Sequence, residues 1–172
     1  MLKLPDLRAH LVDAVPELAR DPERLIVMAS GGRIISTATP ALSFEYAYTA
    51  QIFVLDFSTH ADAIVVPLLA WAKRHQHELF ANPERQRQGI RFNAEYLNTS
   101  SIDLAIEIDL TERVLVRERA DGPPGALLAE HVPEPLPIGW IDRPEHWSLW
   151  LRDQLLAEWD FDPRHPPPAG TP

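Results

Sequence analysis

Leu7, Leu11, Ala14 and Val15 recur at helical spacing behind Pro5, which suits a first helical position, so a first helix is predicted over Pro5–Val15. Pro16 interrupts it and leaves at most a further turn through Leu18–Arg20. Leu25–Ala29 and Arg33–Thr37 flank Ser30-Gly31-Gly32 and predict a tight hairpin whose turn uses glycine's freedom at positive φ. Ser43–Phe57 is an unbroken run of aromatic and β-branched residues, apolar on both faces, which predicts a long central strand. Ser58 or Thr59 then offers an N-cap to a second helix over Ala61–Arg74. There Ile64, Leu68 and Trp71, with Val65 and Leu69 beside them, form one apolar stripe, and Pro67 predicts a bend.

Asn82–Gln88 is polar and reads as a loop, followed by strands over Ile90–Leu97 and Ile102–Leu110. The second strand alternates with period two: Ile102, Leu104, Ile106, Ile108 and Leu110 face one way, and Asp103, Ala105, Glu107 and Asp109 the other. If the two strands pair, their apolar faces must coincide, so paired residue numbers must sum to an even value and the loop must hold an odd number of residues, unless one strand bulges. One such register sets Tyr96 opposite Leu104, Phe92 opposite Ile108 and Arg91 opposite Asp109. Val114–Arg119 continues as strand, and Leu127–Val132 is placed to pair back onto it after the Gly122-Pro123-Pro124-Gly125 break. Pro133–Pro144 is a proline-punctuated connector, Trp147–Trp159 a last ordered element, and the chain ends in a proline-rich stretch.

The pattern describes an α+β fold: a mixed or mostly antiparallel sheet with two helices packed on it, plus a C-terminal hairpin. Its expected divisions are an α+β domain over 1–132, the connector with a Trp-rich hairpin over 133–159, and a disordered proline-rich tail over 160–172. The 172 residues carry no cysteine, which removes disulfides, thiol nucleophiles and thiolate zinc sites. A net charge of −9 argues against a protein that grips nucleic acid by neutralising phosphates. Pro5 and Asp6 break any signal-peptide core, and the longest apolar run, around Ala63–Ala72, is too short for a membrane span.

Candidate chemistry is sparse. His75 and His77, with His60 upstream, invite a metal, but a His-x-His spacing on a helix sets the rings about 200° apart, so solvated histidines at a helix C-terminus explain them better. Asp103, Glu107 and Asp109 could be cast as acid/base carboxylates, yet the regular apolar partner face marks them as the solvated face of a sheet. Ser30-Gly31-Gly32 lacks the surroundings of a phosphate-binding loop, and no nucleophile elbow is present. No catalytic, cofactor or metal residue is therefore assigned. Four of the five tryptophans, Trp140, Trp147, Trp150 and Trp159, crowd the last ordered segment amid Glu145, Asp153 and Glu158. Acidic surroundings disfavour stacking on single-stranded nucleic acid, which leaves core packing or contact with a protein partner.

The order of landmarks carries more information than any motif. The opening MLKLPDLRAHLVDAVPELARDPERL, the strand SFEYAYTAQIFVLDF, the helix ADAIVVPLLAWAKRHQHEL, the strand SIDLAIEIDLTERVLV and the closing RPEHWSLWLRDQLLAEW resemble the tail completion protein R (GpR) family of P2-like phages. The resemblance covers roughly residues 1–160 and implies a tail-terminator-like fold and a structural role in a contractile-tailed phage, prophage or tailocin particle. It implies a ring of about six copies on the head-proximal end of the tail tube. The expected partners are the chain itself, the tail tube protein, and sheath or head–tail connector proteins, with DNA only passing through the lumen and no membrane. The implied location is the virion tail, reached from the host cytoplasm during assembly. Family members close the final hairpin with an Asn-Gly type turn where this chain has Arg152-Asp153, which implies a longer loop or a helical Leu149–Trp159. Rival readings are a neck or head-completion protein of the same particle and, from a different class, a small hydrolase using Asp103, Glu107 and Asp109.

Overall fold

A computed structural model describes residues 1–37, 40–98, 100–135, 139, 141 and 143–162. The chain opens with helix α1 (Lys3–Ala14), then a short helix α2 (Pro16–Arg20) with Pro16 at its start. Strands β1 (Leu25–Ser36) and β2 (Phe44–Phe57) follow, then helix α3 (Asp62–His75) and two short helices, α4 (Glu78–Ala81) and α5 (Pro83–Gln88). Strands β3 (Ile90–Tyr96), β4 (Ile102–Glu118) and β5 (Leu127–His131) complete the sheet, and β6 (Glu145–Leu151) and β7 (Gln154–Phe161) form a separate hairpin. The fold is α+β, and every strand pairing is antiparallel.

The sheet order is β1-β2-β4-β3, with β2 and β4 at its centre. Val114 of β4 pairs with both Phe44 of β2 and His131 of β5, so β5 lies on the β3 side of β4. Leu104, Ile106, Ile108 and Leu110 of β4 are buried on one face beside Tyr48, Ala50, Ile52 and Val54 of β2. Leu7 and Leu11 of α1 and Ile64, Leu68 and Trp71 of α3 join them in one core cluster. The predicted stripe of α3 is the buried one, and the helix runs unbroken through Pro67, which is itself buried. Leu156, Ala157 and Trp159 of β7 belong to the same cluster, so the hairpin packs on α1 and α3.

Three local expectations are overturned. Ser30-Gly31-Gly32 makes no hairpin: β1 is continuous, and Gly31 and Gly32 stand opposite Tyr48 alone, between the pairs Ser30–Thr49 and Arg33–Ala47. This is a β-bulge with Gly31 in the left-handed region at φ 63°. The 14-residue β2 is long enough to pair both arms, and that replaces the pairing of the arms with each other. Asn82–Gln88 is no loop, because Asn82 accepts from the amides of Glu84 (2.9 Å) and Arg85 (3.4 Å) and Pro83 opens α5 behind that cap. Ser58 and Thr59 do not cap α3. Their amides and hydroxyls donate instead to Glu17, at 2.7–3.1 Å.

The parity argument for β3 and β4 holds. The pairs are Ile90–Ile108, Phe92–Ile106, Ala94–Leu104 and Tyr96–Ile102, a register displaced by two residues from Tyr96–Leu104. Arg91 stands opposite Glu107 and still reaches Asp109 on the diagonal, at 3.2 Å. Leu127–His131 pairs back onto the end of β4 as expected. The final segment is a hairpin in which Leu151 pairs with Gln154 across the two residues Arg152-Asp153. Arg152 adopts φ 53°, and a bulge between Leu149 and Trp150 adjusts the strands, so neither a longer loop nor a helix forms.

Gly89 joins α5 to β3 where no side chain fits: a Cβ there would lie 2.7 Å from Leu79 Cδ2 and 2.8 Å from the Arg85 carbonyl oxygen. Because one of those atoms is backbone, Gly89→Ala is expected to destabilise by roughly 1–3 kcal/mol, read as a lowered urea midpoint.

Candidate assembly surface

The tryptophan-rich hairpin divides into a packed side and an exposed tip. Trp159 is only 8% exposed, meets His10 of α1 edge-on at 6.3 Å, and meets Trp147 edge-on at 5.7 Å. Trp147 is half-buried, stacks on Phe161 at 5.6 Å, and donates its Nε1 proton to Glu145 at 3.0 Å. Trp150 is 56% exposed and donates to Ser148 Oγ at 3.0 Å. Trp140 lies outside the described residues. Two of the four candidate tryptophans thus hold the hairpin to the body, and Trp150 presents its indole to solvent beside Leu151.

β7 runs through Phe161, whose ring is buried, so the expected boundary at residue 160 falls inside the strand. The expected disorder of residues 163–172 lies outside the described residues. Deleting 163–172 is expected to leave the melting temperature unchanged. Ending the chain at Asp160 removes the buried Phe161 ring and is expected to lower it by several degrees, which paired thermal melts would show.

Sequence reasoning missed the rest of the surface. It placed Phe92 and Tyr96 on the inward face of β3, and they do share the helix-covered face with Ile106 and Ile102, yet they are 71% and 80% exposed. The core cluster takes in the helix-side residues of β2, of β4 and of the start of β1, but of β3 only Ile90, so period-two alternation gave the face but not its coverage. At the other end of the sheet Ile34 is 68% exposed on that same face, while Ile26 and Met28 are exposed on the opposite one.

The sheet face opposite α1 and α3 is polar along its centre, and α4 and α5 line a cleft with its Thr49 and Asp109. Thr49 donates to Asp109 at 2.9 Å, Gln51 to Glu107 at 3.1 Å, and Arg91 lies 3.3 Å from Glu107 and 3.2 Å from Asp109. Asp103 accepts the amide of Asp56 at 2.7 Å. The three carboxylates lie on one face but each is engaged by its sheet neighbours. The histidines do not converge either. His75 is packed rather than solvated, its ring stacked 4.6 Å from Trp71, while His60 sits at the surface beside Asp62. Among the described residues no three histidine or carboxylate side chains form a metal-binding group, and no described helix is long and apolar enough to cross a membrane.

Two sheet edges without a strand partner among the described residues, with exposed apolar side chains, an exposed tryptophan tip and carboxylates committed to structure make a surface suited to protein contact. The comparison with known families agrees: residues 1–135 match the model of the P2 phage tail completion protein R (GpR). The chain belongs to the GpR family. Tail completion protein R of Escherichia phage P2 is 39% identical over 160 residues, covering 93% of this chain and 99% of that protein. The match therefore spans the hairpin as well as the sheet. No solved structure matches the chain. As a member of this family of structural phage proteins the chain is a tail completion protein, which associates with other tail components in the virion tail.

Proposed function

We propose that the chain is a tail terminator: a ring of about six subunits that caps the head-proximal end of the tail tube and helps join tail to head. The observation that carries this reading is the pair of edges, β1 and β3, that have no strand partner among the described residues and stand at opposite ends of one sheet within a GpR-family chain. Unlike edges on a single subunit favour a head-to-tail contact, and such contacts close into rings when the rotation allows. Trp150, with Trp140, and with Trp147 and Trp159 beneath it, meets a neighbouring subunit, the tube protein, or a sheath or connector protein. DNA passes through the lumen without being held; a subunit of net charge −9 repels phosphate. Asp103, Glu107 and Asp109 serve the sheet and no reaction.

Adding the purified chain to polymerising tube subunits tests this reading. A terminator stops elongation at a length that falls as its concentration rises, and negative-stain images show a ring at one end. Elongation that proceeds unaltered would move the chain to the neck or head-completion class.

A further inference from the structure

β1 and β3 are the two ends of the path β1-β2-β4-β3, and each has one long side without a strand partner among the described residues. Every neighbouring pair on that path is antiparallel, so β1 and β3 run in opposite directions. A rotation about an axis along the strands therefore lays β3 of one copy antiparallel beside β1 of the next without turning either sheet over. We propose that β3 docks on β1 of a second copy of this chain in the register that sets Glu95 opposite Arg33. The proposal rests on the ring reading and specifies its contact.

Charge complementarity singles out this pair. Arg33 and Glu95 are both exposed, and neither has an ion-pair or hydrogen-bond partner among the described residues of its own subunit. Both lie on the sheet face opposite α1 and α3, since Arg33 pairs with Ala47 and Glu95 with Asp103; Arg33 also lines a cleft with Glu84 and Arg85 of α5, without an ion pair to either. The other arginine of β3, Arg91, is already engaged by Glu107 and Asp109.

The same register solves the apolar side. It sets Ile34 opposite Ala94, on the helix-side face, with Phe92 and Tyr96 as diagonal neighbours about 7–8 Å away. The small Ala94 leaves a notch between two exposed rings, and Ile34, 68% exposed in the lone subunit, fills it. Tyr96 comes opposite Gly32, which has no side chain to obstruct the ring. A slip of one residue would put Ile34 on the charged face and Arg33 among the rings. The usual guards of an edge are scarce: neither strand contains proline or lysine, and the bulge at Gly31-Gly32 lies at the end of the contact.

The absence of cysteine makes the test direct. Arg33→Cys and Glu95→Cys combined in one chain supply that chain's only thiols, and finished tails carrying it are oxidised and run on a non-reducing gel, where multiples of this chain's own mass are scored. Dimers and higher multiples are expected from the double variant and none from either single one. In parallel, Arg33→Glu or Glu95→Arg is expected to lower the yield of completed tails at least tenfold, and the two together to restore it to within threefold of the unaltered chain. Both positions are exposed, so melting of each isolated variant should match the unaltered chain. Rings visible on unaltered tails without a cross-linked ladder and without rescue would overturn this contact and leave the ring reading standing. Unaltered tails without any ring would overturn that reading itself.

Discussion

Replacing Glu112 by alanine is expected to cost about 3–5 kcal/mol, because its carboxylate is the buried hub where the N-terminus meets the sheet. Glu112 is 4% exposed and accepts the Leu2 amide at 2.7 Å and the Lys3 amide at 3.4 Å, supplying the negative charge that the unpaired amides of a helix start attract. It accepts the Tyr48 hydroxyl at 2.5 Å, and His131 Nδ1 lies 3.2 Å away. Burial and this hydrogen bond both push the Tyr48 phenol up, so it stays protonated and donating. Alanine would orphan all these donors together in a dry site. Lys3 would keep its ammonium contacts with Gln76 Oε1 (2.9 Å) and the Thr111 carbonyl (2.7 Å), so the loss belongs to the carboxylate. Urea unfolding should show the drop in midpoint at constant slope. Tyr48→Phe, which removes one donor and leaves Glu112 bound to two amides, should cost only about 1 kcal/mol. A Glu112→Ala loss no larger than that would show that water replaces the carboxylate.

What the sequence revealed follows from how local each determinant is. The alternation of β4 and the stripe of α3 are repeated signals within one element, and both gave the right face. Strand parity even constrained the β3–β4 loop, because the pleat couples every residue to the turn. The bulge at Gly31-Gly32 was illegible since a glycine pair between two apolar runs suits a turn or a bulge equally. Only the length of β2, a distant partner, decides between them. Ser58 and Thr59 look like caps until Glu17 arrives from α2, some 40 residues earlier in the chain. Glu17 itself gave no signal, since a carboxylate in a short helix ordinarily faces solvent.

The assembly surface shows the same limit in a sharper form. Phe92 and Tyr96 obey the inward pattern of a half-buried strand, and a reading of period alone would put them in the core. They are exposed because β3 ends the sheet path and, among its residues, only Ile90 packs against the core cluster. Family landmarks succeeded where residue chemistry could not, because a structural phage tail protein has packing patterns in place of a catalytic signature.

Acid is expected to unfold the protein in two overlapping stages that report on different buried groups. His75 acts first. Its side chain is 13% exposed and stacked on Trp71, and burial, reinforced by Arg74, Lys3 and His10, holds its pKa down to about 3 from an ordinary 6.5. Asp6 lies 3.5 Å from Nε2 but already accepts the Trp71 indole proton at 2.7 Å, and it does not reverse the shift. Below pH 6.5 the unfolded chain binds a proton that the folded one refuses. Stability is thus full above 6.5 and falls toward pH 3, by up to ~1.4 kcal/mol per pH unit from this group. His10, lowered chiefly by burial despite its contact with the Pro67 carbonyl, adds in the same direction. Glu17 acts second. Burial pushes its carboxyl up, but the hydrogen bonds from Thr59 and Ser58 outweigh that and hold it below the ordinary range. Its contribution is therefore complete above the unfolded value near ~4.3 and is lost as pH falls through the folded value. Urea unfolding at several pH values separates the stages. His75→Phe keeps a ring on Trp71 and cannot be protonated, so its stability should change less than that of the unaltered chain between pH 6.5 and 4.5. Glu17→Gln should flatten only the range below 4.5. Equal slopes for His75→Phe and the unaltered chain above pH 4.5 would mean that another group governs the first stage.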